Sequence, residues 1–161
     1  MFLKKNNFFL VFFLINLYFT KNDVFASQVL INIDKNDYSL IVERAFTEME
    51  KQRGLMFIKE LKNTNGMLFI YEKPKIVRMW MKNTNLNLDV IFINKRNLIT
   101  SVKKGLSLSE EIISSDVPVI AVLEIPSSCN EKIKLKNGDK IKWKELNSQI
   151  KITPNLFPCI K

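Results

Sequence analysis

Between residues 67 and 125 the chain repeats one pattern: a short apolar run, a few turn-forming residues, then another run. Met67–Tyr71, Ile76–Met81, Leu88–Ile93 and Leu98–Lys103 follow one another at a spacing of about ten residues, with turns expected at Lys73-Pro74 and at Asn94 to Asn97. Runs this short, punctuated this regularly, bury enough surface only as neighbouring strands of a sheet that packs on itself. Upstream, Val29, Ile31 and Ile33 alternate with polar residues at the strand period, Lys35-Asn36-Asp37 reads as a turn, and Tyr38 to Ala45 forms the next run. Val117 to Ile125 is almost continuously apolar and is expected to be a central strand; Lys140 to Lys144 is a last strand with Ile141 and Trp143 on one face. The expected fold is mainly β, a compact antiparallel sandwich or barrel-like domain with one or two short helices.

The helices are marked by their caps. Thr47 is a good N-cap, Glu48 and Glu50 suit a first turn, and Gly54 is placed to end a helix over Thr47 to Arg53. Pro126-Ser127-Ser128 can open a second helix through Ile133. Ser107 to Asp116 is compatible with a helical turn or a surface loop.

Residues 1–26 are expected to lie outside the fold. Lys4 and Lys5 precede an apolar run from Phe8 to Phe19, and Val24-Phe25-Ala26 gives a cleavage site before Ser27, the layout of a secretory signal peptide. The run is shorter than the ~20 residues that span a bilayer comfortably; the alternative is an uncleaved inner-membrane anchor. The expected organisation is a signal peptide over 1–26, one β-rich domain over 27–145 and a tail over 146–161. Removing residues 1–26 leaves 22 basic and 15 acidic residues. The lysines are scattered rather than gathered in a stripe, so the charge reads as a solvated surface, and no nucleic-acid partner is expected. The two cysteines, Cys129 and Cys159, could pair in an exported chain or remain separate thiols.

There is no histidine anywhere. This excludes serine–histidine and cysteine–histidine nucleophilic machinery and histidine-ligated metal sites. No phosphate-binding glycine loop, CxxC pair or calcium-loop pattern is present, so no cofactor and no metal are expected.

One block carries more than core filling needs. Arg53-Gly54-Leu55-Met56-Phe57, Gly66-Met67-Leu68-Phe69, Trp80-Met81-Lys82-Asn83-Thr84 and Leu88-Asp89-Val90-Ile91-Phe92-Ile93 place recurring aromatic and sulfur residues beside fixed polar ones. With Val122-Leu123-Glu124 and Leu135-Lys136-Asn137-Gly138-Asp139, this block resembles the bacterial and archaeal family called domain of unknown function 192, over roughly Leu40 to Trp143. The resemblance implies a compact, mostly β fold with small helices, and members are often exported or membrane-anchored. It implies no established activity. The chain departs from the family pattern at Asn87, where proline is usual, at Ile58, where arginine is common, and between Lys104 and Pro118.

Within the block, Asp89 sits in an apolar strand where aspartate is disfavoured, and Glu124 lies near the end of another. A buried carboxylate needs a partner, and Lys82 and Arg53 are the natural ones. Either these groups form an ion-pair cluster that fixes strand register, or they form a polar site at one end of the fold. Trp80 is either core or the wall of such a site, and Asn83 either caps a turn or faces a ligand. The candidate ligand-binding residues are therefore Arg53, Trp80, Lys82, Asn83, Asp89 and Glu124, for a small polar or anionic ligand. The leading expectation is a non-enzymatic exported binding or accessory module of the cell envelope. The alternatives are an envelope-glycan enzyme with Asp89 and Glu124 as an acid/base pair, and a structural or interaction protein.

Overall fold

A computed structural model describes residues 27–35, 38–61, 64–146 and Cys159. The expected signal segment, and the tail beyond Leu146 apart from Cys159, lie outside the described residues. In chain order the elements are β1 (Gln28–Ile33), β2 (Ser39–Ala45), α1 (Glu48–Arg53), β3 (Met67–Lys75), β4 (Arg78–Met79), β5 (Leu88–Ile93), β6 (Ile99–Gly105), β7 (Ile113–Ser114), β8 (Val119–Pro126), α2 (Ser127–Ile133) and β9 (Ile141–Glu145).

Seven strands form one curled sheet in the order β6-β5-β8-β3-β2-β1-β9, and β4 and β7 form a separate two-stranded ribbon. The barrel-like expectation holds in the form of a half-barrel. Its two edge strands approach each other at one end, where Leu98 bridges Lys140 and the Ile99 N–H donates to the Asp139 carbonyl at 2.9 Å. All pairings in the large sheet are antiparallel except β2 with β3, because the crossover carrying α1 returns the chain in the same direction.

The sheet has two buried faces, which explains why its central strands read as continuous apolar runs rather than alternating ones. Val29, Ile31, Leu40, Val42, Leu68, Ile91, Leu123 and Ile125 fill one face with Cys129 and Ile133 of α2. Ala45, Phe69, Tyr71, Leu88, Val90, Phe92 and Val122 fill the other beneath Leu55, Val77 and Met81. Cys129 is joined to Cys159 by a disulfide with 5.2 Å between Cα atoms.

The helix expected from Thr47 is present with both halves of its capping box: the Glu50 N–H donates to Thr47 Oγ1, and the Thr47 N–H donates to the Glu50 carboxylate. Two expectations are corrected. The turn at Lys73-Pro74 is absent, since β3 runs on to Lys75. Its ladder to β8 is interrupted between Ile70 and Lys75, which is where a proline without an N–H is tolerated. The run Ile76 to Met81 does not enter the large sheet. It lies along 109–115, with the Met81 N–H on the Ser109 carbonyl at 3.0 Å and the Ser115 N–H on the Val77 carbonyl at 2.8 Å, so the ambiguous 107–116 segment is an extended loop containing β7. This arrangement turns 76–81 into a rim above the second sheet face.

Candidate functional site

Strand register decides what meets under that rim. Gln28, Glu43, Met67, Glu124, Val90 and Lys103 form one row across six strands, with side chains on the same face. Ala45, Phe69, Val122 and Phe92 form the next row on that face. α1 and the segment 54–56 cover one side, and the 76–81 rim covers the other. Between them opens a cleft of about 700 Å³ whose lining includes Arg53, Leu55, Phe69, Tyr71, Lys75, Arg78, Met79, Trp80 and Glu124.

Glu124 is the floor of this cleft. It is 4% exposed, and no group among the described residues hydrogen-bonds or ion-pairs its carboxyl. Burial alone pushes its pKa up to about 8, so the group is largely protonated at neutral pH. Tyr71 stands near it; burial first, then the charges of Glu124 and Glu48, push the Tyr71 hydroxyl well above its ordinary range. Glu43, in the same row, is also raised by burial, with the Arg53 charge opposing.

The rim is cationic. Lys75 and Lys51 flank the Tyr71 ring at 4.5 and 4.9 Å from its centroid, and Lys51 is also bonded to Glu48 at 3.0 Å. Arg53 and Arg78 are exposed, and neither has an ion pair among the described residues. Trp80 is 44% exposed at the mouth.

Three of the six expected residues, Arg53, Trp80 and Glu124, line the cleft together. The other three do not, and the reasons are geometric. Lys82 points outward, stacking on the Trp80 ring at 5.2 Å and pairing with Glu110 at 3.6 Å. Asn83 occupies a left-handed turn with φ of 57° and contributes its carbonyl to the Phe57 N–H at 2.8 Å. Asp89 stands opposite Ile125 while Val90 stands opposite Glu124, so the two carboxyl groups project from opposite faces of the sheet. The expected partners were also wrong: Asp89 takes Lys104 at 2.7 Å, Ser127 Oγ at 2.6 Å and Asn130 Nδ2 at 2.6 Å, while Glu124 takes neither Lys82 nor Arg53.

Asp89 is therefore a clamp that fastens the start of α2 to β5 and β6. Asp89→Ala leaves the Ser127 hydroxyl and the buried Asn130 amide unpaired. It is expected to cost about 2–3 kcal/mol, because Lys104 is solvated and adds little. Urea unfolding measures this, and a loss below about 0.5 kcal/mol, the usual surface range, would contradict the clamp.

Sequence reasoning missed Tyr71, Lys75 and Arg78. The strand period from Phe69 puts Tyr71 on the same face, a signal that was available. Lys75 and Arg78 depend on the interruption in β3 and on the detour of 76–81, which have no local signature.

Fold and site together define a small β half-barrel domain with a lateral cleft over a buried carboxyl that has no partner among the described residues. The chain belongs to the DUF192 family, described as Uncharacterized ACR, whose model matches residues 29–143. Among solved structures it is similar to a candidate transcription regulator from Sinorhizobium meliloti 1021, with 31% identity and a TM-score of 0.67 over 73% of this chain and 92% of that one. It is also similar to a protein of unknown function from Novosphingobium aromaticivorans, with 30% identity and a TM-score of 0.66 over 72% of this chain and 84% of that one. No curated protein matches.

Proposed function

We propose that this chain is a non-enzymatic binding module of the cell envelope that takes a small polar or anionic ligand into the cleft above Glu124. The observation that carries the reading is the Glu124 carboxyl itself. A carboxyl that is 4% exposed and has no hydrogen-bond or ion-pair partner among the described residues keeps its hydrogen-bonding capacity open to the cleft, where a ligand can supply the partner. Apolar walls with a few convergent polar groups are the usual make-up of small-molecule sites. The envelope part of the proposal rests on the signal-like segment 1–26 and on the Cys129–Cys159 disulfide, which suits an oxidising compartment. No helix among the described residues is long and apolar enough to cross a membrane.

A glycan-cleaving pair of Asp89 and Glu124 is not favoured, because such a pair must share one open cleft and these two face away from each other. A second reading has its own observation: Phe57, Leu106, Leu108 and Ile112 are large apolar side chains more than half exposed. They make the 106–112 loop and its surroundings a candidate contact surface, in line with an interaction protein.

A thermal-shift screen of the purified protein against envelope metabolites, glycans and metal ions tests the binding reading. A ligand at a hundredfold excess over its Kd adds roughly 2.7 kcal/mol of stability. Glu124→Gln and Arg78→Met are expected to abolish or shrink the response. A response that both variants leave intact would place the ligand elsewhere, and a broad library without any response would favour the interaction surface.

A further inference from the structure

The charges of the cleft are laid out unevenly from floor to rim. Glu124 stands at the floor, 4% exposed, with no hydrogen bond or ion pair to its carboxyl among the described residues. At the rim Lys51 is engaged by Glu48 and Lys75 lies over the Tyr71 ring, while Arg53, near Glu43, and Arg78 have no ion pair among the described residues. Phe69, Met79 and Trp80 line the same cleft with apolar surface.

A simple anion satisfies the two arginines and leaves Glu124 buried without a partner. A simple amine satisfies Glu124 but brings a further positive charge through a cationic mouth. A ligand carrying both charges, held apart, answers both ends. We infer that the cleft takes a small zwitterion with an apolar body, its ammonium on the Glu124 carboxylate and its carboxylate on Arg53 and Arg78, the chemistry of a short peptide with free termini. This rests on the reading of the cleft as a ligand site. Guanidinium groups suit the outer end because their donors match a carboxylate in bidentate fashion. At the inner end the ligand ammonium displaces the Glu124 proton to solvent, so binding releases a proton.

Calorimetric titration of the purified protein with leucyl-phenylalanine, its N-acetyl derivative and its C-terminal amide tests the inference. The free dipeptide is expected to bind, and each derivative to bind at least about tenfold more weakly, the loss of one charge-assisted contact. Glu124→Gln should erase the difference between the dipeptide and its N-acetyl derivative. The double variant Arg53→Gln/Arg78→Gln should erase the difference between the dipeptide and its amide. At pH 7 the binding enthalpy should vary with the ionisation enthalpy of the buffer, since a proton is released. Equal binding of the N-acetyl derivative, or no binding of the dipeptide while other molecules from the screen bind, overturns the zwitterion and leaves the cleft intact as a site. If instead every ligand from the screen is insensitive to Glu124→Gln and to Arg78→Met, the cleft reading itself falls.

Discussion

The stability of this protein is expected to fall as pH rises from about 5 to about 8, and Glu124→Gln is expected to remove most of that fall. Burial holds the folded-state pKa of Glu124 at about 8 against an ordinary 4.5. Between those values the folded protein keeps a proton that the unfolded chain has released. Stability from this group is therefore complete below about 4.5, declines through the window, and levels off above about 8. At ~1.36 kcal/mol per pH unit the whole decline reaches up to roughly 5 kcal/mol. Glu43, raised in the same direction by burial, adds to the slope, and the Arg53 charge limits its share. Glutamine reproduces the neutral acid in size and hydrogen-bonding capacity without the ionisation. The variant should match the wild type within about 1 kcal/mol at pH 5 and exceed it by several kcal/mol at pH 9. Urea unfolding at pH 5, 7 and 9 reads both chains. A wild type with flat stability across that window would mean that Glu124 is solvated or paired, and the site would lose its defining feature.

The second large effect is expected at Gly66. Its φ is 151°, and a Cβ built there would lie 1.9 Å from the Glu124 carbonyl oxygen and 3.2 Å from the Ile125 Cα. Both atoms are main chain in a central strand, so neither can swing away as a side chain would. Gly66 also accepts the Glu43 N–H at 3.0 Å, which fixes it to β2 on the other side. Gly66→Ala must push β3 off β8 at the position where Glu124 is held, and a loss above about 4 kcal/mol or a failure to fold is expected. Gly138→Ala is the control. There φ is 88° but nothing lies within 4 Å of the added methyl, so only the conformational cost of about 1 kcal/mol should appear. The two variants are compared by soluble yield and urea midpoint. Equal, small losses at both positions would show that β3 and β8 are not packed as closely as described.

These two residues also show how much was legible beforehand. Gly66 opens the Gly66-Met67-Leu68-Phe69 run of the motif block, but nothing local reveals that its missing side chain makes room for another strand's carbonyl. Glu124 stood out as a carboxylate at the end of an apolar strand. That it could be partly buried and would then need a partner is legible, whereas its lack of one among the described residues is not, because the expected cations, Lys82 and Arg53, are directed elsewhere. Lys82 is held by Trp80 and Glu110, and Arg53 sits at the exposed end of α1 beside Glu43.

Local rules fixed the elements whose causes are local. Thr47, Glu50 and Gly54 set both ends of α1 within a few residues, and the continuous apolar run of β8 marks a central strand. The absence of histidine by itself restricts the chemistry open to this chain. Pairing register is not a local property. Asp89 and Glu124 look alike in sequence, each a lone carboxylate in an apolar strand. Side chains alternate with period two, so an offset of one residue between β5 and β8 sends them to opposite faces. On one face Asp89 meets Ser127, Asn130 and Lys104 and becomes a fastening for α2; on the other Glu124 meets no partner among the described residues and becomes the floor of a cleft. The sequence by itself placed two carboxylates in apolar strands, each needing a partner if buried. Only the tertiary structure, through that register and the detour of 76–81, decided which one holds the fold together and which one faces the cleft.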